Sequence, residues 1–180
     1  MRKKKHIFTR FFIFTVMPAI LILTCAPAAR AQVAGSGKKQ QPAPGKNLAD
    51  TWIGALNRHD TAALVLLYAD SARIISPNWE GVRTGREAVK DVYGRYFAGT
   101  PDLEHLLTHL ITTDTALVIE YISRGTFLHP EPGTPDYMKG KKYELQNCTR
   151  LTIRKGKILM QVNYFDQVAF LRQVGFFDQH

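Results

Sequence analysis

Cysteine is scarce in this sequence, and its scarcity excludes a disulfide framework. The 180 residues hold two cysteines, Cys25 and Cys148. No Gly-rich phosphate loop, nucleophile elbow or base-stacking motif occurs, which removes the common nucleotide-binding, α/β-hydrolase and RNA-binding readings. No His/Cys/Asp cluster has metal-ligand spacing. His105 and His109 come nearest, but on a strand they stand roughly 13 Å apart at about 3.3 Å per residue and cannot share an ion. No metal and no cofactor is therefore expected. Acidic residues are missing from residues 1–31, which hold Arg2, Lys3, Lys4, Lys5, Arg10 and Arg30.

That last absence explains the formal charge of +9. Without residues 1–31 the chain keeps 18 basic against 15 acidic residues, a net of +3. So mild a charge does not make a phosphate-tracking surface, and no nucleic-acid partner is expected. Residues 1–31 read as a signal peptide: a basic start, an apolar stretch from Phe11 to Thr24 broken by Thr15 and Pro18, and Ala29-Arg30-Ala31 before Gln32. The stretch is short for a membrane span. An alternative is the box Ile22-Leu23-Thr24-Cys25, which would lipidate Cys25 and tie the protein to a membrane. Both readings place the domain outside the cytoplasmic membrane, periplasmic or secreted. After cleavage at Ala31 one cysteine remains, Cys148, and stability must come from a packed core.

Residues 32–46 are polar and rich in Gly, Pro and Lys, the composition of a flexible linker. A single domain over 47–177 is expected next. Leu48, Trp52, Ala55 and Leu56 share a helical face, and Asp60 is placed to cap a second helix. Ala72–Ser76 suits a short strand. Thr84 and Glu87 have capping-box spacing ahead of a helix with Val89, Val92, Tyr93, Tyr96 and Phe97 on one face. After Pro101 the apolar period changes from about 3.6 to 2. Strands are expected over 102–112, 116–129, 142–154 and 158–165, with a Pro/Gly-rich loop at 130–140 and a last helix near 167–174. Helices followed by an antiparallel meander define an α+β fold. Long twisted strands curling around the helices make a cone, with a hollow that side chains or a ligand must fill.

Three stretches carry a family likeness. They are Ala55–Asp60 with Leu66–Ala72, Gly81–Val89, and Gly156–Ile158 through Asn163–Asp166 to Phe170–Gly175. In this order they resemble the SnoaL-like branch of the nuclear-transport-factor-two-like superfamily, which also includes ketosteroid isomerases and polyketide cyclases. The resemblance implies a cone-shaped fold, with N-terminal helices on a strongly curved, mainly antiparallel sheet. It implies a homodimer through that sheet, and a pocket for a small apolar molecule. In such cyclases an aspartate opening the last helix is the general acid/base, and Asp166 matches it. Met160-Gln161-Val162-Asn163 stands where those cyclases often carry Glu-His-Trp-Asp. Against the isomerases, Ser76 falls on the general base, and Trp52 on the oxyanion-binding tyrosine.

Asp166 is thus the candidate catalytic residue, poised for proton transfer on a carbonyl compound if it faces an apolar cavity. It serves equally well as the N-cap of the last helix. Alternation in the 142–154 strand puts Tyr143, Leu145, Asn147, Thr149, Leu151 and Ile153 on one face, the inner one by polarity. Asn147 and Thr149 are therefore candidate ligand-binding groups. Tyr121, Trp52 and Asn163 join them, and Trp79 is a candidate for the cavity mouth. The expected function is binding of a small molecule in an apolar pocket, with proton transfer on a carbonyl compound by Asp166 left open. The alternatives are a binding module without turnover and a protein-interaction domain.

Overall fold

The structure, a computed structural model, describes residues 44–178. The export segment, Cys25 and most of the linker stretch lie outside the described residues. Helix α1 (Pro44–Asn57) begins three residues before the apolar periodicity does. It buries Ala49, Trp52, Ile53, Ala55 and Leu56, the three-and-four spacing of an amphipathic helix. Asp60 caps α2 (Thr61–Leu67) as expected, its carboxylate accepting the Ala63 N–H at 2.8 Å.

Strand β1 (Tyr68–Ile75) starts four residues earlier than its sequence signal. It is followed by β2 (Arg83–Thr84), which the turn-like composition of 78–85 hides. Pairing of Arg73 with Thr84 draws Thr84 into the ladder. The expected capping box therefore does not form. Gly85, at φ 90°, takes the N-cap of α3 (Arg86–Gly99) with no side-chain cap. Only glycine adopts that backbone without strain. The face expected of α3 is the one that packs: Val89, Val92, Tyr93 and Phe97 are buried, and Tyr96 half-buried.

The meander follows as β3 (Glu104–Thr112), β4 (Ala116–Phe127), β5 (Lys141–Arg154) and β6 (Lys157–Phe165). β1 adds to it parallel to β6, giving a six-stranded mixed sheet in the order β2-β1-β6-β5-β4-β3. The short helix α4 (Gln167–Gln173) closes the fold. The architecture is α+β, with the sheet open rather than closed into a barrel.

Alternation along β4 and β5 gives the inner faces expected of them. Leu117, Ile119, Tyr121, Ser123, Leu145, Thr149 and Leu151 are buried. β3 is less regular, because a bulge between Leu107 and His109 shifts its register. His105 pairs opposite the buried Ser123, whereas His109 pairs opposite the exposed Glu120. The two histidines thus lie on opposite faces of the sheet.

Candidate functional site

Helix α1 packs against β3 and β4 and α3 against β1 and β2, and a hollow lined by both helices and the sheet is left between them. The hollow has a volume of about 590 Å³. Its walls are mainly aromatic and aliphatic: Trp52 from α1, Tyr93, Tyr96 and Phe97 from α3, and Met138 from the loop between β4 and β5. Phe170 of α4 joins them, packed edge-on against Tyr143 and Phe127 at centroid distances of 5.1 and 5.8 Å. Arg95 and Glu131 lie on the lining as an exposed ion pair at 2.8 Å.

The polar part of the wall is a connected set of hydrogen bonds. Tyr68 Oη accepts from Trp52 Nε1 at 3.0 Å and donates to Gln161 Oε1. Tyr93 donates to the same oxygen at 3.0 Å. Gln161 Nε2 donates to Asn163 Oδ1 at 2.7 Å, and Thr149 Oγ1 donates to that oxygen at 3.0 Å. Since the Thr149 hydrogen is engaged there, the 3.1 Å contact with Tyr121 is donated by the tyrosine. Burial holds the three phenols well above the ordinary tyrosine range, Tyr121 pushed up to about 12. They stay protonated donors at physiological pH.

A second cluster involves a residue that sequence alone assigned no role. His105 Nδ1 lies 2.8 Å from Ser123 Oγ, which also accepts from Asn147 Nδ2 at 3.0 Å. Asn147 Nδ2 gives its other hydrogen to Leu145 O at 2.9 Å. Ser123 Oγ, with one hydrogen and two lone pairs, can meet both His105 Nδ1 and Asn147 Nδ2. The other ring nitrogen, Nε2, is buried and has no hydrogen-bond partner among the described residues. Burial above all, then the charge of His59, lowers the His105 pKa to about 4 against an opposing pull from Glu104. His105 is therefore neutral at pH 7.

Tyr121, Trp52, Asn147 and Asn163 all line the hollow, as the sequence suggests. Thr149 is fully buried behind them, bridging Tyr121 to Asn163 rather than facing the space. Two candidates are corrected. Asp166 is exposed, absent from the lining, and its carboxylate accepts the Ala169 N–H at 2.9 Å as the N-cap of α4. The cause is strand parity: Asn163 and Phe165 point inward, so Asp166 follows the exposed Tyr164 on the other side. Trp79 also stands off the lining. A turn with Trp79 N–H to Ser76 O at 3.4 Å folds its ring back on the core, with the Arg83 guanidinium 5.7 Å from the ring centre. Sequence reasoning missed His105 and Gln161. The signal for His105 was its shared parity with Leu103 and Leu107.

A helix-backed curved sheet enclosing such a hollow defines the cone fold of the nuclear-transport-factor-two-like proteins. The family profile of the SnoaL-like domain matches residues 49–160, and the chain belongs to that family. Solved structures with the same fold include TsrD from Streptomyces laurentii, 21% identical, with a TM-score of 0.65 over 75% of this chain and 97% of that one. IdmH from Streptomyces antibioticus, a proposed polyketide cyclase, is 24% identical, with a TM-score of 0.62 over 73% and 98%. A protein of ketosteroid isomerase-like fold from Catenulispora acidiphila, in complex with trimethylamine, is 20% identical, with a TM-score of 0.60 over 71% and 92%. No curated protein matches the sequence significantly.

Proposed function

We propose that this chain binds a neutral, mostly apolar small molecule in the hollow. The observation that carries the reading is a cavity of about 590 Å³ with aromatic and aliphatic walls and a few convergent amide and hydroxyl groups, the usual make-up of a small-molecule site. Arg95 and Glu131 neutralise each other, so the lining offers no lone charge to an ionic ligand there. The SnoaL-like family and the trimethylamine complex of a structural neighbour support a small ligand. Isomerase- or cyclase-like proton transfer would need an acid–base group at the wall. Asp166 is engaged elsewhere, so binding rather than turnover by Asp166 is the reading adopted.

The site of action follows from residues 1–31. Their basic start, apolar stretch and Ala-Arg-Ala end support export. Pairing with a second copy through the outer sheet face is supported by Leu106, Ile111 and Tyr164, each half or more exposed there.

Naphthalene is a suitable first probe, added to the full chain with methyl resonances followed by NMR. Binding in the hollow moves the methyl signals of Leu103, Leu145 and Met138 and leaves those of Leu106 and Ile111 in place. Shifts confined to Leu106 and Ile111, or none at all, would contradict the proposal.

A further inference from the structure

The hydrogen-bond directions around the hollow fix the polarity of two amides on its wall. Buried tyrosine hydroxyls start the sequence of constraints. The Tyr68 and Tyr93 hydroxyls lie 3.0 Å apart and cannot both donate to each other, so at least one directs its hydrogen at Gln161, which must present its carbonyl oxygen. Its nitrogen then faces Asn163, which must answer with Oδ1. Thr149 donates to the same oxygen. The amide nitrogen of Asn163 is left over, and no hydrogen bond among the described residues uses it.

Asn147 is fixed in the opposite sense. The Leu145 carbonyl can only accept, so it must meet Asn147 Nδ2, which also donates to Ser123 Oγ. Both amide hydrogens are engaged, and Oδ1 is the atom left over. Neither leftover atom is among the buried polar atoms without a partner. Both belong to half-buried residues on the cavity lining, so both remain accessible from the hollow. Asn163 is registered opposite Thr149, two residues along β5 from Asn147. Such diagonal neighbours lie roughly 7–8 Å apart, within reach of one ligand group.

We infer that Asn163 Nδ2 and Asn147 Oδ1 form a donor–acceptor pair that recognises a neutral ligand carrying a carbonyl beside an N–H or O–H. The ligand carbonyl accepts from Asn163, and its N–H or O–H donates to Asn147. A ring bearing a carboxamide or a hydroxy-ketone has this chemistry. An anionic carboxylate does not, because it has no hydrogen for Asn147 and would bring a charge into an apolar chamber whose one arginine among the described lining residues, Arg95, is already paired with Glu131. This inference rests on the small-molecule reading above and adds the identity of the functional group.

Four probes of one shape test it on the full chain by calorimetric titration: naphthalene-2-carboxamide, 2-acetylnaphthalene, naphthalene-2-carboxylate and 2-isopropylnaphthalene. The carboxamide is expected to bind about tenfold tighter than the isopropyl isostere, the ketone to fall between them and the carboxylate to bind weakest. In Asn147→Leu the carboxamide-to-ketone ratio falls to about one. In Asn163→Leu the ketone-to-isopropyl ratio falls to about one, while the carboxamide keeps the part of its gain that Asn147 supplies. Thermal unfolding of both variants confirms a folded chain. If the isopropyl probe binds but the carboxamide gains nothing over it, the donor–acceptor pair is wrong and the apolar site stands. If no probe binds, the small-molecule reading fails and the pair fails with it.

Discussion

Two groups of polar residues share the inner wall, and they differ in how completely their hydrogen bonds are made. In the first, on the lining and just behind it, Trp52, Tyr68, Tyr93, Thr149 and Tyr121 spend their side-chain hydrogens within the chain, on one another and on Gln161 and Asn163. At its edge, Asn147 and Asn163 each keep one accessible atom open. Buried polar groups that satisfy one another hold a fold in place. Open atoms in a hollow are the ones a ligand can use. The difference separates scaffold from site among residues of similar chemistry.

Breaking the closed group should have the largest effect. Gln161→Leu keeps the volume but takes the acceptor from two buried phenols, and should lower unfolding free energy by about 3 kcal/mol in urea titrations. His105 follows, through pH. Its folded pKa of about 4 lies below the unfolded value of 6.5. The unfolded state therefore binds the extra proton first, and stability is lost as pH falls from 6.5 towards 4, by up to about 3 kcal/mol. The groups bearing on it are His59, Glu104 and Tyr121. His105→Phe should flatten this acid arm relative to the parent, which unfolding at a series of pH values checks. Tyr121→Phe removes one closed hydrogen bond and should cost about 1 kcal/mol. Smallest is Asp166→Ala. Loss of the α4 cap should cost about 0.5–1 kcal/mol, with no change in the binding of naphthalene-2-carboxamide. A large loss of binding would return Asp166 to the site.

Much of this contrast was legible in the sequence. The period-2 runs in β4 and β5 placed Tyr121, Asn147 and Thr149 on the inner face, and Asp60 declared its cap. Other features depended on partners distant in the chain. Thr84 with Glu87 reads as a capping box until β1 pairs with Thr84. The histidine pair at 105 and 109 reads as same-faced until a bulge separates its members. Asp166 was the instructive case. Family likeness drew it towards the hollow, whereas the parity of Asn163 and Phe165 already placed it outside. Which atom of an amide stays open depends on the whole set of neighbouring donors, and no local pattern encodes that.

The side-chain amide signals of the ¹⁵N-labelled chain, recorded while naphthalene-2-carboxamide is added, test the central claim most directly. The account predicts that the Asn163 Nδ2 pair shifts and saturates with the ligand, while the Asn147 Nδ2 pair, already held by Ser123 and Leu145, moves little. A saturating shift at Asn147 with Asn163 unmoved would contradict it.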